Sequence, residues 1–547
     1  MTRCASVIIV GAGPTGLMLA IELGRRGVAT LLLSDNTETS NSPKATVTQA
    51  RTMEHFRRLG IAERVRNTGV PGDHATDIVY CSRITWHELA RHHLPSPNEA
   101  RRLVREDPAA WHTPELTHRS SQMWIEPILL DEVRRLPAVE LQLGWRLERF
   151  DDLGDCVRVE AHRVIDGLRQ TFFSSFLVGC DGASSVVRTR LEIGRGDSSA
   201  IKEFKGRPMF SVHARAPKFF DSVPFKQGWL YAAVNCTQRG SCISLDGNEF
   251  KFSFWRPDDW TSDHVSKDQI ANIHARMFGR ACDFDVISYK FWRGGASLVA
   301  DSYGKGRVFL AGDAAHLFTP SAGLGYNTGV DDAVKLGWRL AAAVHAWGGP
   351  ALLDSYEREA RPEALRRTRF AADCAERLAV FKPSAELDQD TAAGERARAE
   401  AQRHFTSHLR FQYDIPGINF GARCDDSPVV IDDGASAPPD DPNVYVPSGK
   451  PGGRAPHAWL ADGRSLYDAL GIDFTLLKLE RDADVDAFRR AAAHANMPLS
   501  IVDVANERLR DVYEADLVLV RPDQVIAWRG SGRERDVGEI LRRVTGW

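Results

Sequence analysis

Three short segments rich in small residues each follow directly on an apolar run, at residues 11–16, 180–183 and 312–316. Small side chains leave backbone N–H groups open, and such loops bind the phosphate groups of ligands. One of these segments alone would carry little weight. Three in one chain, each where a strand should end, indicate a shared site for a phosphate-bearing cofactor.

The first segment has the spacing G-x-G-x-x-G, and it lies between a predicted strand and a predicted helix. Residues 7–10 are β-branched and apolar, residues 17–23 have helical character, and residues 30–33 form a second apolar run. Strand, loop, helix and strand in this order predict a dinucleotide site, with the pyrophosphate at the helix N-terminus. The candidate cofactor-binding residues of this segment are Gly11, Gly13, Pro14, Thr15 and Gly16.

The residue that contacts the adenosine ribose is marked less clearly. An acidic residue usually ends the second strand, whereas this chain has Ser34 there and Asp35 one position later. Because side chains alternate along a strand, we expect these two to point in different directions. We take both Ser34 and Asp35 as candidate cofactor-binding residues.

Further motifs follow along the chain. Residues 43–61 begin P-K-A, residues 122–126 read Q-M-W-I-E, residues 181–188 read D-G-A-S-S-V-V-R, and residues 312–316 read G-D-A-A-H. In this order the motifs resemble the flavoprotein aromatic hydroxylases of the p-hydroxybenzoate hydroxylase-like superfamily, which are single-component FAD monooxygenases. Within that group the chain most resembles bacterial chlorophenol and phenol hydroxylases.

The resemblance implies FAD contacts at positions that no single motif would reveal. These positions are Lys44, Arg51, Gln122, Asp181, Gly312, Asp313, Pro320, Gly323, Leu324, Gly325 and Asn327. In the family, the residue at the Asp313 position binds the ribityl chain, and the loop at 320–327 lies against the isoalloxazine ring. Lys44 and Ser184 depart from the family pattern, because arginine is common at both positions.

The reaction that the resemblance implies consumes NADPH or NADH and O2 and hydroxylates a phenolic ring, ortho to its hydroxyl, through a flavin C4a-hydroperoxide. A base that ionises the phenol would make the ring more nucleophilic. Yeast-type phenol hydroxylases carry an aspartate near the position of Thr46, which this chain lacks. His213, Tyr231 and Tyr303 are conceivable substitutes, so the catalytic base stays unassigned.

Three other functions remain open at this point. The chain could hydroxylate a larger polycyclic aromatic, such as a polyketide, because enzymes of that kind share the same C-terminal tail. It could also be a flavin-binding protein that does not hydroxylate, or a flavoprotein oxidase or dehydrogenase. Substrate-stimulated oxidation of NAD(P)H would separate the hydroxylases from these others.

We expect an α/β protein with a Rossmann-like FAD-binding domain of the glutathione reductase type, an antiparallel substrate-binding sheet and a thioredoxin-like C-terminal domain. The expected boundaries are 1–190 and 296–423 for the FAD-binding domain, with an insert at 78–116 near the substrate pocket, 191–295 for the substrate-binding sheet, 424–456 for a linker, and 457–547 for the C-terminal domain. The C-terminal domain contains no cysteine, so it has no dithiol redox role.

The composition fits a soluble enzyme of several domains, since 547 residues exceed a single core. A net charge of −3 gives no reason to expect nucleic acid as a partner, and no apolar stretch is long enough to cross a membrane. Nine cysteines without C-x-x-C spacing predict a reducing cytoplasm and no metal site. The expected partners are a small phenolic substrate and, as an option, a second copy of the chain as a homodimer.

Overall fold

The structure is a computed structural model that describes residues 3–197, 208–256, 260, 265–293, 296–504, 507–533 and 536–547. Parts of the substrate-binding unit expected at 191–295, namely 198–207, 257–259, 261–264 and 294–295, therefore lie outside the described residues.

The strands, in chain order, are β1 (Arg3–Val10), β2 (Thr30–Ser34), β3 (Ile78–Cys81), β4 (Glu88–His92), β5 (Val139–Leu143), β6 (Trp145–Asp152), β7 (Val157–Arg163), β8 (Arg169–Gly179), β9 (Arg195–Asp197), β10 (Pro208–Arg215), β11 (Leu230–Val234), β12 (Arg239–Ser244), β13 (Glu249–Trp255), β14 (Asp285–Arg293), β15 (Leu298–Ala300), β16 (Gly304–Lys305), β17 (Val308–Leu310), β18 (His316–Leu317), β19 (Phe474–Lys478), β20 (Leu499–Asp503), β21 (Leu517–Val520) and β22 (Ile526–Gly530).

The helices are α1 (Pro14–Arg25), α2 (Ala50–Arg58), α3 (Ala62–Arg66), α4 (Pro97–Glu106), α5 (Pro108–Trp111), α6 (Gln122–Arg134), α7 (Val186–Arg190), α8 (Lys267–Phe278), α9 (Gly325–Val344), α10 (Pro350–Val380), α11 (Ala392–Tyr413), α12 (Pro416–Phe420), α13 (Leu466–Ala469), α14 (Asp486–His494), α15 (Glu507–Tyr513) and α16 (Val537–Val544).

The first sheet has the order β16-β17-β8-β1-β2-β5, with β6 and β7 attached through β8. Strands β17, β8, β1, β2 and β5 run parallel, and helices α1, α6 and α9 pack together against them. The apolar residues of β1 are buried, as a strand covered on both faces requires. The predicted α/β architecture is confirmed. The strands of this first sheet come partly from the chain before β10 and partly from the chain after β14.

The second sheet has the order β14-β10-β13-β12-β11-β3-β4, and its pairs are antiparallel except for β11 with β3. Its strands β3 and β4 come from the insert expected at 78–116, so the insert forms one edge of this sheet. One face, which includes Phe210, Val212, Tyr231 and Phe252, packs against α8 in a buried apolar cluster. The other face is called here the cleft face, and at its β3 and β11 end it packs against α11.

The third unit is a four-stranded sheet of order β20-β19-β21-β22, flanked by α14 and α16. It packs against the unit of the first sheet through Trp338 of α9 and Trp347, which share one apolar cluster with Phe474 and Leu519. The segment 424–456 is not the free linker that its composition predicted. It forms no helix and only isolated bridges, yet residues 449–456 are buried, because they lie between the two units.

Buried charges join the C-terminal unit to the rest of the chain. We call this cluster the C-terminal lock, and it consists of Arg51, Glu54, Arg339, Glu359, Arg454, Arg521 and Asp523. Glu359 accepts hydrogen bonds from Arg339 (2.6 Å) and from both terminal nitrogens of Arg521 (2.8 and 2.7 Å). Burial opposes the charged form, but the two guanidinium groups outweigh it and lower the pKa of Glu359 to about 2.

Candidate functional site

The three loops found in the sequence lie side by side in the structure. In the register of the first sheet, Val10 of β1 is opposite both Leu33 of β2 and Gly179 of β8, and Gly179 is opposite Leu310 of β17. The carboxyl ends of these parallel strands therefore share one edge. Ligands of open α/β sheets bind at this edge, because the loops leave the strands there.

The glycines of the first loop serve two different purposes. Gly11 has φ +108°, and a Cβ there would lie 2.3 Å from the carbonyl oxygen of Cys180 in the second loop. A Cβ on Gly16 would lie 1.9 Å from the carbonyl oxygen of Gly11. A Cβ on Gly13, in contrast, would meet no atom within 4 Å. Gly11 and Gly16 are thus required by the protein's own packing, whereas Gly13 borders open space.

The open space beside Gly13 adjoins the N-terminus of α1. Gly13 is the N-cap residue, and its carbonyl oxygen accepts the first helical hydrogen bond, from Leu17 (2.9 Å). The first N–H groups of a helix have no acceptor within the helix, and they carry partial positive charge. The site therefore has the shape and the donors that a pyrophosphate needs.

The third loop is fixed against the first. Gly312 has φ +64°, and a Cβ there would lie 2.5 Å from Oγ1 of Thr15. The carboxylate of Asp332, which lies on α9, accepts from the Gly312 N–H (2.9 Å) and pairs with Nε2 of His316 (2.6 Å). His316 is therefore a structural residue that holds this loop.

Asp313 is exposed, and no residue that the structure describes donates a hydrogen bond to its carboxylate. Protein nevertheless surrounds it, and this desolvation raises the pKa of Asp313 against the opposing charges of Arg195 and Lys44. Lys44, also exposed, lies close enough to influence the pKa of Asp313.

The loop from Pro320 to Asn327 is held by its own side chains. The Asn327 amide donates to the carbonyl oxygens of Val47 (3.0 Å) and Gly323 (2.7 Å) and accepts from the Gln49 N–H (2.8 Å). These bonds shape the loop, and the FAD contact that the resemblance implies at Asn327 stays a prediction. Its neighbours Leu324, buried in an apolar cluster, and Gly325, which begins α9, offer backbone groups. Pro320 is exposed.

Arg51 is directed to the C-terminal domain. Its guanidinium donates to Glu54 (2.8 Å), to the side chain of Gln524 (2.5 Å) and to the carbonyl oxygen of Asp523 (2.6 Å). Arg51 therefore helps to dock that domain, which the sequence could not show because the partners are over 470 residues away. The FAD contact that the resemblance implies for Arg51 stays a prediction.

Two acidic candidates also have protein partners. Asp181 accepts from the hydroxyl of Ser185 (2.6 Å) and from the N–H groups of Val186 (2.7 Å) and Val187 (3.1 Å), so these bonds of its carboxylate lie within its own loop. Asp35 is exposed and pairs with Arg146 (3.2 Å).

Ser34 and Gln122 lie at the cofactor side of the fold. Ser34 is buried at the carboxyl end of β2, and its oxygen accepts only a long bond from the Asn36 N–H (3.3 Å). Ser34 and Asp35 thus point in different directions, as expected. Gln122, at the start of α6, donates to Glu126 (2.5 Å), and Glu126 also accepts from the Ser40 N–H (2.7 Å).

The three candidate bases occupy very different places. Tyr231 lies on the covered face of the second sheet, where its hydroxyl accepts from the Gly228 N–H (2.7 Å). Tyr303 is fully buried in the core of the FAD-binding domain. Neither hydroxyl reaches the cleft, so both assignments are withdrawn. His213 lies on the cleft face and pairs through Nε2 with Glu249 (2.8 Å).

Comparison with known proteins identifies the class. A family model described as FAD binding domain matches residues 4–371, and one described as aromatic-ring hydroxylase, C-terminal, matches residues 448–547. The chain therefore belongs to the FAD-dependent aromatic-ring hydroxylases and is a flavoprotein monooxygenase. The resemblance seen in the sequence is confirmed, and so is FAD as the cofactor.

Individual relatives cover nearly the whole chain. It is 28% identical to the phenol 2-monooxygenase of Pseudomonas sp. (strain EST1001), over 97% of this chain and 90% of the relative. It is 29% identical to a putative polyketide hydroxylase of Streptomyces halstedii, over 96% and 93%. The structure of the rebeccamycin biosynthetic enzyme RebC with bound 7-carboxy-K252c is 32% identical, with a TM-score of 0.89 over 100% of both chains.

Two further searches of the described residues found nothing. None of their helices is long and apolar enough to cross a membrane. No group of three or more histidine, cysteine or acidic side chains within the described ranges could hold a metal ion.

Proposed function

We propose that this chain hydroxylates a planar polycyclic phenol, using FAD, NADPH or NADH, and O2. The observation that carries the proposal is the cleft face of the second sheet. Ala232, Ser241, Ser253 and Ser211 are cross-strand neighbours on β11, β12, β13 and β10. Their small side chains make a flat floor that crosses four strands, which spans about 14 Å at the usual strand spacing of about 4.8 Å.

The protein covers this floor only in part. Ala232, Ser241 and Ser211 are half-buried, whereas residues on the opposite face of the same strands, such as Val212 and Cys242, are fully buried. A floor of this length is longer than a single phenol ring needs. It suits several fused rings lying flat on the sheet.

The walls of the cleft come from both flanks. On one side, the backbone of Lys44 lies against the sheet, because its carbonyl oxygen accepts a hydrogen bond from Lys251 of β13 (2.6 Å). On the other side, α11 covers the edge of the sheet, where Phe405 stacks on Tyr80 at 4.5 Å between ring centroids. An aromatic wall at one end together with hydroxyl groups on the floor suits an aromatic hydroxy compound.

The residues of the site fit FAD. The N-terminus of α1 and the space beside Gly13 would take the pyrophosphate, Ser34 would contact the ribose, and the free carboxylate of Asp313 would accept from the ribityl hydroxyls. The N-terminus of α9 at Gly325 would offer N–H donors to the flavin ring. Bound FAD would supply the activation of oxygen, and the protein's task is to exclude water and hold the ring to be hydroxylated.

A single-ring phenol is the second candidate, favoured by the likeness to the phenol 2-monooxygenase. The first test measures oxidation of NADH and of NADPH with phenol, naphthols and hydroxyanthraquinones, with hydroxylated product and H2O2 quantified together. We expect the fused-ring compounds to stimulate oxidation with little H2O2. Stimulation by phenol alone would replace our proposal with the second candidate.

A substitution in the floor sharpens this test. Ser241→Phe should shorten the floor and lower kcat/KM for hydroxyanthraquinones far more than for phenol. Ser500→Phe, at an exposed serine of β20 in the C-terminal unit, is the matched control and should change neither. Equal losses for small and large substrates would show that the floor does not select for size.

The C-terminal unit also supports a finer proposal. Its order β20-β19-β21-β22 combines a parallel pair, β19 with β20 around α14, and an antiparallel pair, β21 with β22, followed by α16. We propose a thioredoxin-like topology on this basis. A homodimer and a cytoplasmic location stay predictions.

A further inference from the structure

Lys251 is a cation without an acidic partner on the cleft face. Its ammonium donates to the Lys44 carbonyl oxygen (2.6 Å), and among the described residues it has no carboxylate partner. The side chain is half-buried, and desolvation lowers the pKa of Lys251 to about 8. It is therefore mostly protonated at neutral pH and keeps two N–H donors free.

His213 is the direct cross-strand neighbour of Lys251. Side chains in such pairs start about 5 Å apart, on the same face of the sheet. His213 is buried, with 6% of its surface exposed, and its Nδ1 has no hydrogen-bond partner within the described part of the chain. A buried polar atom without a partner is costly, so an absent group should bond to it.

The hydrogen bond to Glu249 determines which ring nitrogen of His213 carries the proton. Burial opposes ionisation, but the bonds from Arg215 and His213 lower the pKa of Glu249, so it is a carboxylate at neutral pH. A carboxylate accepts the proton of Nε2, which leaves the lone pair of neutral His213 on Nδ1. Nδ1 is then a proton acceptor beside a free cation.

We propose that His213 and Lys251 form the subsite that ionises and holds the phenolic hydroxyl of the substrate. The O–H bond of the phenol breaks, its proton forms the N–H bond on Nδ1 of His213, and the phenolate oxygen accepts hydrogen bonds from the Lys251 ammonium. The imidazolium is stabilised by Glu249. This inference rests on the proposed function, and it restricts the substrate to aromatics with a free, acidic hydroxyl.

The charged groups that face this pair support the direction of the transfer. They are Glu249 and Arg215 on the same two strands, Asp285 and Lys290 on β14, and Lys44, whose carbonyl oxygen bonds Lys251. Three of these five are cations, and together with Lys251 they favour an anion at this end of the floor. The phenolate is more nucleophilic than the phenol at the ring carbons next to the oxygen.

The test uses the FAD-loaded protein without NAD(P)H, so that it reports binding and not turnover. The probes are 2-hydroxyanthraquinone, whose anion absorbs at longer wavelength than the neutral form, and 2-methoxyanthraquinone, which cannot ionise. The variants are Lys251→Met, Lys251→Arg and His213→Gln, with Lys218→Met at an exposed lysine after β10 as the control. Spectra are recorded at a pH at which the free hydroxy compound is neutral.

We expect the natural protein and Lys218→Met to show the absorption of the bound anion. Lys251→Met and His213→Gln should lose that absorption and bind the hydroxy compound about 10- to 100-fold more weakly, as expected for the loss of a hydrogen bond to a charged group. Lys251→Arg should retain it in part. Binding of the methoxy compound should be the same in all variants.

Other results would refute one proposal or the other. If the natural protein binds both compounds and the hydroxy compound stays neutral, or if the variants match it, the subsite is wrong while the fused-ring floor stands. If the natural protein binds neither compound, the floor has a different occupant, and both proposals fall.

Discussion

The loop around Gly13 allows a prediction in which two similar substitutions have opposite consequences. Gly16→Ala would place a methyl group 1.9 Å from a backbone carbonyl oxygen, which cannot rotate away. Overpacking costs about 1–3 kcal/mol when side chains can adjust, so we expect a loss of at least about 3 kcal/mol here. Gly13→Ala meets no atom within 4 Å. It should cost the apoprotein less than about 1 kcal/mol, mainly through the weaker N-cap.

Gly13→Ala should weaken the binding of FAD, although it hardly changes the stability of the apoprotein. If the added methyl group costs one hydrogen bond to the charged pyrophosphate, the Kd for FAD rises about 10- to 100-fold. At an FAD concentration of 100 times the natural Kd, stabilisation by FAD is about 2.7 kcal/mol, and it should fall to between about 1.4 and 0.4 kcal/mol.

Thermal unfolding of the apoprotein and of the FAD-loaded protein, with a titration of flavin fluorescence, measures both quantities. Gly16→Ala should melt early in both forms, whereas Gly13→Ala should differ from the natural protein only when FAD is present. Our placement of the pyrophosphate fails if Gly13→Ala binds FAD with unchanged Kd. The open space beside Gly13 is refuted if that variant lowers the apoprotein's melting temperature as much as Gly16→Ala does.

Three further predictions concern the core and the C-terminal lock. Arg454→Met leaves the buried carboxylate of Glu54 without its main partner, so it should lower the free energy of unfolding by about 3–5 kcal/mol, as measured by thermal unfolding. The double variant with Glu54→Gln should recover part of this loss. Tyr231→Phe removes one hydrogen bond on the covered face and should cost about 1 kcal/mol with kcat unchanged, so a large fall in kcat would reinstate this tyrosine as a catalytic residue. The pKa of Glu359 is lowered, so its stabilising effect is present above about pH 4.5 and is lost as the pH falls towards 2. The melting temperature of Glu359→Gln should therefore depend less on pH across this window than that of the natural protein. Parallel curves of melting temperature against pH would contradict the assignment.

Much of the cofactor site could be predicted from the sequence. The strand–loop–helix pattern at residues 7–33 requires a parallel sheet with a phosphate loop at its carboxyl edge, because only small residues permit that turn. The structure places Gly11, Gly13 and Gly16 there. These local features depend on residues close together in the chain, so short-range geometry determines them.

Other features were decided by tertiary structure. Arg51 donates hydrogen bonds to residues 523 and 524, and no local sequence pattern predicts a partner so far along the chain. Segment 424–456 has the composition of a linker, yet its residues 449–456 are buried between two units.

The substrate end of the site shows the same division. The sequence by itself determined the class of enzyme and the cofactor, because glycine loops and buried strands leave a periodic, local signature. It could not separate His213 on the cleft face from Tyr231 on the covered face, and it gave no sign of Lys251. Which residues face the cleft depends on the register of strands that are far apart in the chain, and only the folded sheet sets that register.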